Sequence, residues 1–180
     1  MRATLTAHPD FPSDAVFGIE AGVERDGATL ALRFELTGAV AKLALPPDAA
    51  ADRADELWRH TCFEAFLRPQ GGSAYVELNF APSTQWAAYR FSGYREGMTP
   101  ADIAPPRMAL TGSEASLELA VRLDLARLGL PPGPCRLGLS AVIEEAGGAK
   151  SYWALAHPPG KPDFHHIAGY AYDLPEEESP

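Results

Sequence analysis

Several residue types and patterns that mark whole classes of protein are scarce in this sequence. Only 2 of the 180 residues are cysteines, which excludes a framework of several disulfides. Lys and Arg number 15 against 24 Asp and Glu, and the net charge of −9 argues against a nucleic-acid partner. No apolar run is long enough to span a membrane, and residues 1–11 lack the apolar segment of a signal peptide. We therefore expect a cytoplasmic protein with neither nucleic acid nor membrane as a partner.

The two cysteines, Cys62 and Cys135, both fall within predicted strands. A free cysteine behaves as a small hydrophobic residue and is often buried. A disulfide would require the two strands to bring the sulfur atoms together, and a cytoplasmic location disfavours that bond. We predict two free, buried thiols.

Long amphipathic helices are also missing, whereas proline and glycine are abundant, with 17 and 16 residues. Short alternating runs of apolar and polar residues recur about every 8–12 residues, separated by turns that contain these two residue types. The pattern predicts an all-β fold, a jelly-roll-like antiparallel β-sandwich of immunoglobulin-like appearance with about ten strands and little helix. We expect residues 1–180 to form one domain, and 174–180, which contain three consecutive glutamates, to form a flexible acidic tail.

Local signals place most of the strands. Asp26-Gly27 lies between two alternating runs and is a strong hairpin signal. One helical turn is predicted over 125–128, and the longest irregular stretch, 92–106, is a candidate functional loop. Outside the central stretch, strands are predicted over 2–7 (as an edge strand), 16–25, 28–37, 40–45, 108–111, 115–123, 136–145 and 151–156.

The most informative stretch is 58–91. Its alternation predicts three strands, over 61–67, 75–80 and 85–91, joined by two turns. Successive side chains of a strand point to opposite faces, so the polar side chains separate from the apolar ones. If the three strands are antiparallel neighbours, one surface carries Glu64, Glu77, Asn79, Trp86 and Arg90.

Four motifs together resemble a known group of proteins. They are WRHTCFEAF at 58–66, YVELNFAPSTQWAAYRF at 75–91, YWAL at 152–155 and PDFHH at 162–166. The chain resembles the bacterial DOMON-like proteins, which are similar to the family 9 carbohydrate-binding modules, over roughly residues 15–174. The resemblance implies a jelly-roll-type sandwich in whose relatives a concave face or rim binds a sugar or a haem. In the sugar-binding relatives, tryptophans flank the sugar and polar strand residues hydrogen-bond to it.

The resemblance and the polar strand face lead to one functional prediction. We expect a non-catalytic domain that binds a carbohydrate or a sugar-containing metabolite on a polar and aromatic concave face. Carboxylate, amide and guanidinium groups suit sugar hydroxyls, and aromatic planes suit the CH faces of the ring. The predicted ligand-binding residues are Trp58, Glu64, Glu77, Asn79, Trp86, Arg90, Trp153 and His165, with the loop 94–106 at the rim.

Other interpretations stay open at this point. The polar face could be a solvated surface in which Glu77 pairs with Arg90 across the strands. Haem-binding relatives use Met and His ligands, for which Met98 and one of His157, His165 or His166 are the candidates. The protein could be an interaction module without a small ligand. Paired carboxylates at Glu64 and Glu77 could serve glycoside hydrolysis, although an enzyme is the less favoured interpretation and no catalytic residue or metal site is predicted.

Overall fold

The computed structural model describes residues 1–131 and 133–174. This part of the chain contains twelve strands and four short 3₁₀ turns. The 3₁₀ turns span Val40–Lys42, Leu57–Arg59, Leu125–Leu128 and Ile167–Gly169. None of these helical turns is long and apolar enough to cross a membrane. The strands are β1 (Arg2–Ala7), β2 (Val16–Asp26), β3 (Thr29–Gly38), β4 (Cys62–Pro69), β5 (Tyr75–Phe80), β6 (Trp86–Phe91), β7 (Thr99–Pro100), β8 (Arg107–Gly112), β9 (Ser116–Asp124), β10 (Cys135–Glu144), β11 (Lys150–Ala154) and β12 (Tyr172–Leu174).

All of these strands pair antiparallel, and they form one curled sheet in the order β7-β6-β5-β4-β10-β11-β1-β2-β3-β9-β8, with β12 beside β10. We call β4–β7 and β10–β12 the first half and β2, β3, β8 and β9 the second half; β1 pairs with both β11 and β2 and so joins them. The predicted all-β, jelly-roll-like sandwich with little helix is confirmed.

The main hydrophobic core lies between the two halves. Phe34 on β3 and Phe63 on β4 come from opposite halves, and their ring centroids are 5.1 Å apart. The second half follows the predicted alternation, since Leu30, Leu32, Phe34 and Leu36 are buried while Ala31, Arg33 and Glu35 between them are more exposed. Burial of this apolar surface is the main free-energy gain that closes the sheet on itself.

The first half departs from that alternation, because its strands are buried on both faces. All six residues of β5 are buried, and so are the first six of β4. Loops cover the face that points away from the main core, and a second apolar cluster forms beneath them around Phe66, Tyr75, Tyr89, Phe91 and Tyr170. We call this covered surface the outer face of the first half.

Most local predictions are confirmed, and three are wrong. The Asp26-Gly27 hairpin forms, with φ of +60° at Gly27. Both cysteines are buried and free. The strand predicted over 40–45 is not formed: Val40–Lys42 make a 3₁₀ turn, because Lys42 and Leu43 donate their backbone N–H groups locally to Ala39 and Val40, and Leu43 then pairs with Glu145 in an isolated bridge.

The other two corrections concern the ends of the chain. Strand β1 is not an edge strand, since it has a partner on each side. Leu174, the first residue of the predicted tail, is buried and pairs with Cys135. The rest of that predicted tail, 175–180, lies outside the described residues.

Two of the three tryptophans belong to the main core. Trp86 pairs with Phe80 and Trp153 with Ala141, on the faces that point between the halves, and they are only 5% and 6% exposed. The Trp153 indole donates to Ser151 Oγ at 3.0 Å, whereas Nε1 of Trp86 has no hydrogen-bond partner among the described residues. The predicted placement of both tryptophans on the ligand face is therefore wrong.

We predict that Trp86→Ala lowers the free energy of unfolding by about 3–5 kcal/mol, the cost of truncating a large core side chain. Trp86→Phe should cost less, because it keeps a ring in place and removes a buried N–H without a partner. Urea unfolding followed by circular dichroism measures both. Phe17→Ala is the control: Phe17 is 77% exposed, so its change should stay within about 0.5 kcal/mol. Equal losses for Trp86→Ala and Phe17→Ala would contradict the core assignment.

Candidate functional site

The register of β4 and β5 brings three predicted residues together. Glu64 pairs directly with Asn79, and Glu77 pairs with Phe66 two positions along β4. Paired residues share a face, so Glu64, Glu77 and Asn79 all lie on the outer face, as predicted. All three are buried: Glu64 is 2% exposed and Glu77 is 5% exposed. Their polar groups are held away from bulk water.

Arg90 does not join them. It pairs with Val76 and therefore points to the opposite face of the sheet. Its Nε donates to the carbonyl of Leu128 at 2.9 Å and its terminal nitrogen to that of Arg127 at 3.2 Å. Arg90 thus supports the 3₁₀ turn before Gly129. Both its predicted role in ligand binding and its alternative ion pair with Glu77 are wrong.

A cavity of about 420 Å³ opens on the outer face, within the size range of ligand pockets. It contains four of the predicted ligand-binding residues, Trp58, Glu64, Glu77 and His165. Asn79 lies on the same face and donates to Glu77 Oε1 at 2.8 Å. The cavity is lined by Trp58, Glu64, Glu77, Phe91, Arg95, Met98, Val142, Tyr152, Pro162, Phe164 and His165.

Trp58 is held at one wall by a short turn. Glu56, with φ of +61°, starts the 3₁₀ turn that carries Trp58. The Trp58 ring meets Tyr89 edge-on, with centroids 5.7 Å apart. The Tyr89 hydroxyl in turn donates to Asp55 at 2.6 Å, which ties the preceding loop to β6. Trp58 is partly buried and still reaches the cavity, so its ring is available to a ligand.

The opposite wall is organised around Asp163. Its carboxylate accepts hydrogen bonds from the Arg95 guanidinium at 2.8 Å, the Tyr94 hydroxyl, and the backbone N–H of His165 at 3.1 Å. One carboxylate therefore links the loop after β6 to the loop that carries Phe164 and His165. Charge-assisted hydrogen bonds of this kind are the stronger ones in proteins. They hold two otherwise irregular segments over the sheet.

The contacts of His165 indicate which ring nitrogen carries the proton. Tyr75 accepts the backbone N–H of Arg95 at 3.2 Å, and its hydroxyl lies 2.7 Å from Nδ1 of His165. The hydroxyl can donate its own proton to Nδ1, which leaves the imidazole proton on Nε2. Nε2 is 3.8 Å from Glu77 Oε2. Burial, with the positive charge of Arg95, lowers the pKa of His165 to about 4, so the ring is a neutral donor at pH 7.

Glu64 and Glu77 have unusual electrostatics. Burial raises the pKa of Glu64 well above its ordinary value, and the charge of Glu77 raises it further. Burial raises the pKa of Glu77 too, opposed by the hydrogen bond from Asn79. Perturbed carboxyl groups in a cleft are a common sign of a functional site.

The arrangement does not suit a metal or a haem iron. No group of three or more His, Cys, Asp or Glu side chains in residues 1–131 and 133–174 is placed to hold a metal ion. Met98 and His165 do line the same cavity, but Nδ1 of His165 is 2.7 Å from the Tyr75 hydroxyl and Nε2 is 3.8 Å from Glu77 Oε2. His157 Nε2 hydrogen-bonds to the Thr6 carbonyl, and His166 caps a 3₁₀ turn through Ala168. These histidines do not fit axial ligation as placed.

Several cavity residues were missed from the sequence. Phe91 and Tyr152 lie on the outer face because they alternate with Arg90 and Trp153, which point to the other side. Arg95 belongs to the irregular stretch predicted to lie at the rim, so a signal for it existed. No local pattern distinguishes Phe164, which reaches the cavity only because of how its loop folds back.

A second cavity, of about 280 Å³, lies on the second half of the sheet. Its charged side chains are largely solvent-exposed, and several pair with one another, such as Arg2 with Glu20 at 4.0 Å and Arg33 with Glu35 at 3.6 Å. Exposed pairs of this kind are common on protein surfaces and contribute little. The buried polar groups single out the cavity of the first half as the candidate site.

The chain is similar to several proteins of known structure. A crystal structure of "a putative carbohydrate-binding protein" from Bacteroides uniformis ATCC 8492 aligns with a TM-score of 0.70 at 14% identity, covering 94% of this chain and 83% of that one. The chain has the fold of a carbohydrate-binding module. A family 9 module from Caldicellulosiruptor kristjanssonii in complex with glucose aligns with a TM-score of 0.53 at 9% identity, over 94% and 80% of the two chains. A complex of such a module with cellotriose gives 0.53 at 11% identity, over 87% and 74%.

No family model and no curated protein sequence matches the chain. The structural matches confirm the predicted likeness to family 9 modules at the level of the fold. The resemblance to DOMON-like proteins stays a prediction.

We predict that Glu64→Gln raises the free energy of unfolding at neutral pH. At pH values below the ordinary glutamate pKa of about 4.3, Glu64 is protonated in both states. As the pH rises, the unfolded chain loses this proton first, so the wild type loses about 1.4 kcal/mol of stability per pH unit until the raised folded pKa is reached. Glutamine escapes this loss and can still accept the hydrogen bond that Ser140 donates to Glu64.

Urea unfolding between about pH 4 and 8 measures this difference, which should grow with pH. Glu24→Gln, at an exposed position on β2, is the matched control and should leave the pH dependence unchanged. A difference between Glu64→Gln and wild type that does not vary with pH would contradict the assignment.

Proposed function

We propose that this protein binds a carbohydrate, without catalysing its conversion, in the cavity between Trp58 and His165. One observation carries the proposal: aromatic rings and buried hydrogen-bonding groups line the same cavity. Sugars present hydroxyls that both donate and accept, beside apolar CH faces. A cavity that binds them needs both kinds of wall.

The two kinds of group come from different parts of the chain. Trp58, Phe91, Tyr152 and Phe164 supply the rings. The strands supply the acceptors Glu64 and Glu77, and the loops supply donors through Arg95 and His165. Since acceptors and donors both line the cavity, a hydroxyl group can satisfy one of each.

The protein's own hydrogen bonds hold the walls of the cavity in place. Four of the residues that line the cavity have a hydrogen-bond partner beside them. The partners are Tyr75 for His165, Asn79 for Glu77, Asp163 for Arg95 and Ser140 for Glu64. A site held in place by such contacts loses less conformational entropy when a ligand enters. The fold supports the same proposal, because two of its structural relatives are modules in complex with glucose and cellotriose.

Glycoside hydrolysis remains the second candidate, because the two predicted carboxyl groups do share one cavity. Hydrolysis needs one carboxyl protonated and the other ionised. Burial shifts the pKa of both upward, and no Lys or Arg nitrogen lies within 4 Å of either carboxylate among the described residues. Binding is therefore favoured. Release of reducing sugar that stops in Glu64→Gln would establish hydrolysis instead.

We predict that Trp58→Ala weakens sugar binding at least about tenfold while the protein stays folded, because a stacking ring on an otherwise intact wall is lost. A thermal-shift screen against neutral and charged mono- and oligosaccharides first finds a ligand, and calorimetry then compares affinities. Phe17→Ala, which removes an exposed ring on β2 outside the cavity, is the matched control and should bind as the wild type does. Unchanged affinity in Trp58→Ala, or no shift with any sugar, would contradict the proposal. A co-purifying protein partner would then favour the interaction-module interpretation.

A further inference from the structure

Two buried carboxyl groups belong to the lining of the cavity. Glu64 and Glu77 both line it, and neither has a Lys or Arg nitrogen within 4 Å among the described residues. Arg95 also lines the cavity, but it pairs with Asp163 at 2.8 Å. His165, 3.8 Å from Glu77, is neutral because it is buried. Two carboxyl groups therefore line the cavity without a Lys or Arg side chain in contact among the described residues; the more distant charge of Arg95 lowers the pKa of each, but burial has the larger, opposite effect.

The same carboxyl groups also retain unused acceptor capacity. Glu64 accepts one hydrogen bond, at Oε2 from Ser140 at 3.2 Å, and its Oε1 has no partner among the described residues. Glu77 accepts one, at Oε1 from Asn79. An ionised carboxylate can accept about four hydrogen bonds. Each side chain is more than nine-tenths buried and still lines the cavity, so the missing donors have to come from within it.

The surrounding walls suit a cation of a particular kind. Trp58, Phe91, Tyr152 and Phe164 bring four aromatic rings to the cavity. Aromatic rings attract cations within about 6 Å of the ring centroid, most strongly where water is excluded. A metal ion does not fit, since no three ligating side chains converge in the described residues. An organic ammonium group supplies up to three N–H donors and a positive charge together.

We propose that the ligand is an amino sugar with a free amine, whose ammonium group is bound by Glu64 and Glu77. This inference rests on the proposed carbohydrate-binding function and names the class of sugar. The positive charge of the ammonium group favours the ionised form of both buried carboxyl groups. Its nitrogen then donates to the two carboxylates, and the sugar ring lies against the aromatic walls. An N-acetylated amine is uncharged and donates only one hydrogen bond, so it leaves the carboxyl groups unbalanced.

Calorimetry at neutral pH with D-glucosamine, D-glucose and N-acetyl-D-glucosamine tests the inference. We expect glucosamine to bind at least about tenfold more tightly than the other two sugars, because only it forms charge-assisted hydrogen bonds with both carboxylates. Glu64→Gln and Glu77→Gln should each reduce this preference to near equality while keeping a side chain of the same shape. Glu24→Gln, an exposed glutamate outside the cavity, should keep the preference.

The outcomes separate this inference from the function on which it rests. Similar affinities for glucosamine and glucose, or tighter binding of N-acetylglucosamine, would overturn the amino-sugar assignment and leave sugar binding in place. A preference for glucosamine that survives in both glutamine variants would also overturn it, because the charge would then be recognised elsewhere. Failure of all three sugars to bind would overturn the amino-sugar assignment, whereas the wider screen of mono- and oligosaccharides decides whether the cavity binds carbohydrate.

Discussion

Burial of both faces of β4 and β5 is the constraint on which the rest of this structure depends. An ordinary sandwich strand offers one face to water, where polar side chains need no partner from the protein. Here Glu64, Glu77 and Asn79 lie under loops instead, and buried polar groups are costly unless they are hydrogen-bonded. Ser140, on a neighbouring strand, donates a hydrogen bond to Glu64, and Asn79 donates one to Glu77. The remaining acceptor sites of the two glutamates face the cavity.

The loops that cover the outer face are held by few, specific contacts. Asp163 links two of them through Arg95 and the His165 backbone, and Tyr75 links the sheet to both. The same loops determine the chemistry of the cavity, because they bury His165 beside Arg95, which lowers the pKa of the imidazole, and they place its Nε2 3.8 Å from Glu77 Oε2. One hydrogen-bond network therefore holds both the covering loops and the walls of the cavity.

Much of the fold could be predicted from period-two alternation and turn residues, which depend only on neighbours along the chain. The hairpin at Asp26-Gly27 and the polar set on β4 and β5 were found in this way. The segment 40–45 was not, because Val40–Lys42 form a local turn and only Leu43 pairs across to Glu145, in an isolated bridge. Nor was the placement of Trp86, since β6 carries large aromatic residues on both faces and alternation alone does not say which face meets the core.

The sequence by itself determined the strand class, most strand positions, and the fact that Glu77 and Asn79 share a face, whereas the register that places Glu64 beside Asn79 belongs to the tertiary structure. These follow from the fixed alternation of side chains along a strand. Only the tertiary structure decided that this face is covered, that Trp58 rather than Trp86 or Trp153 reaches the cavity, and which loop residues complete it. The physical reason is that packing between strands and loops distant in sequence selects one face for the core, and no local pattern encodes that choice.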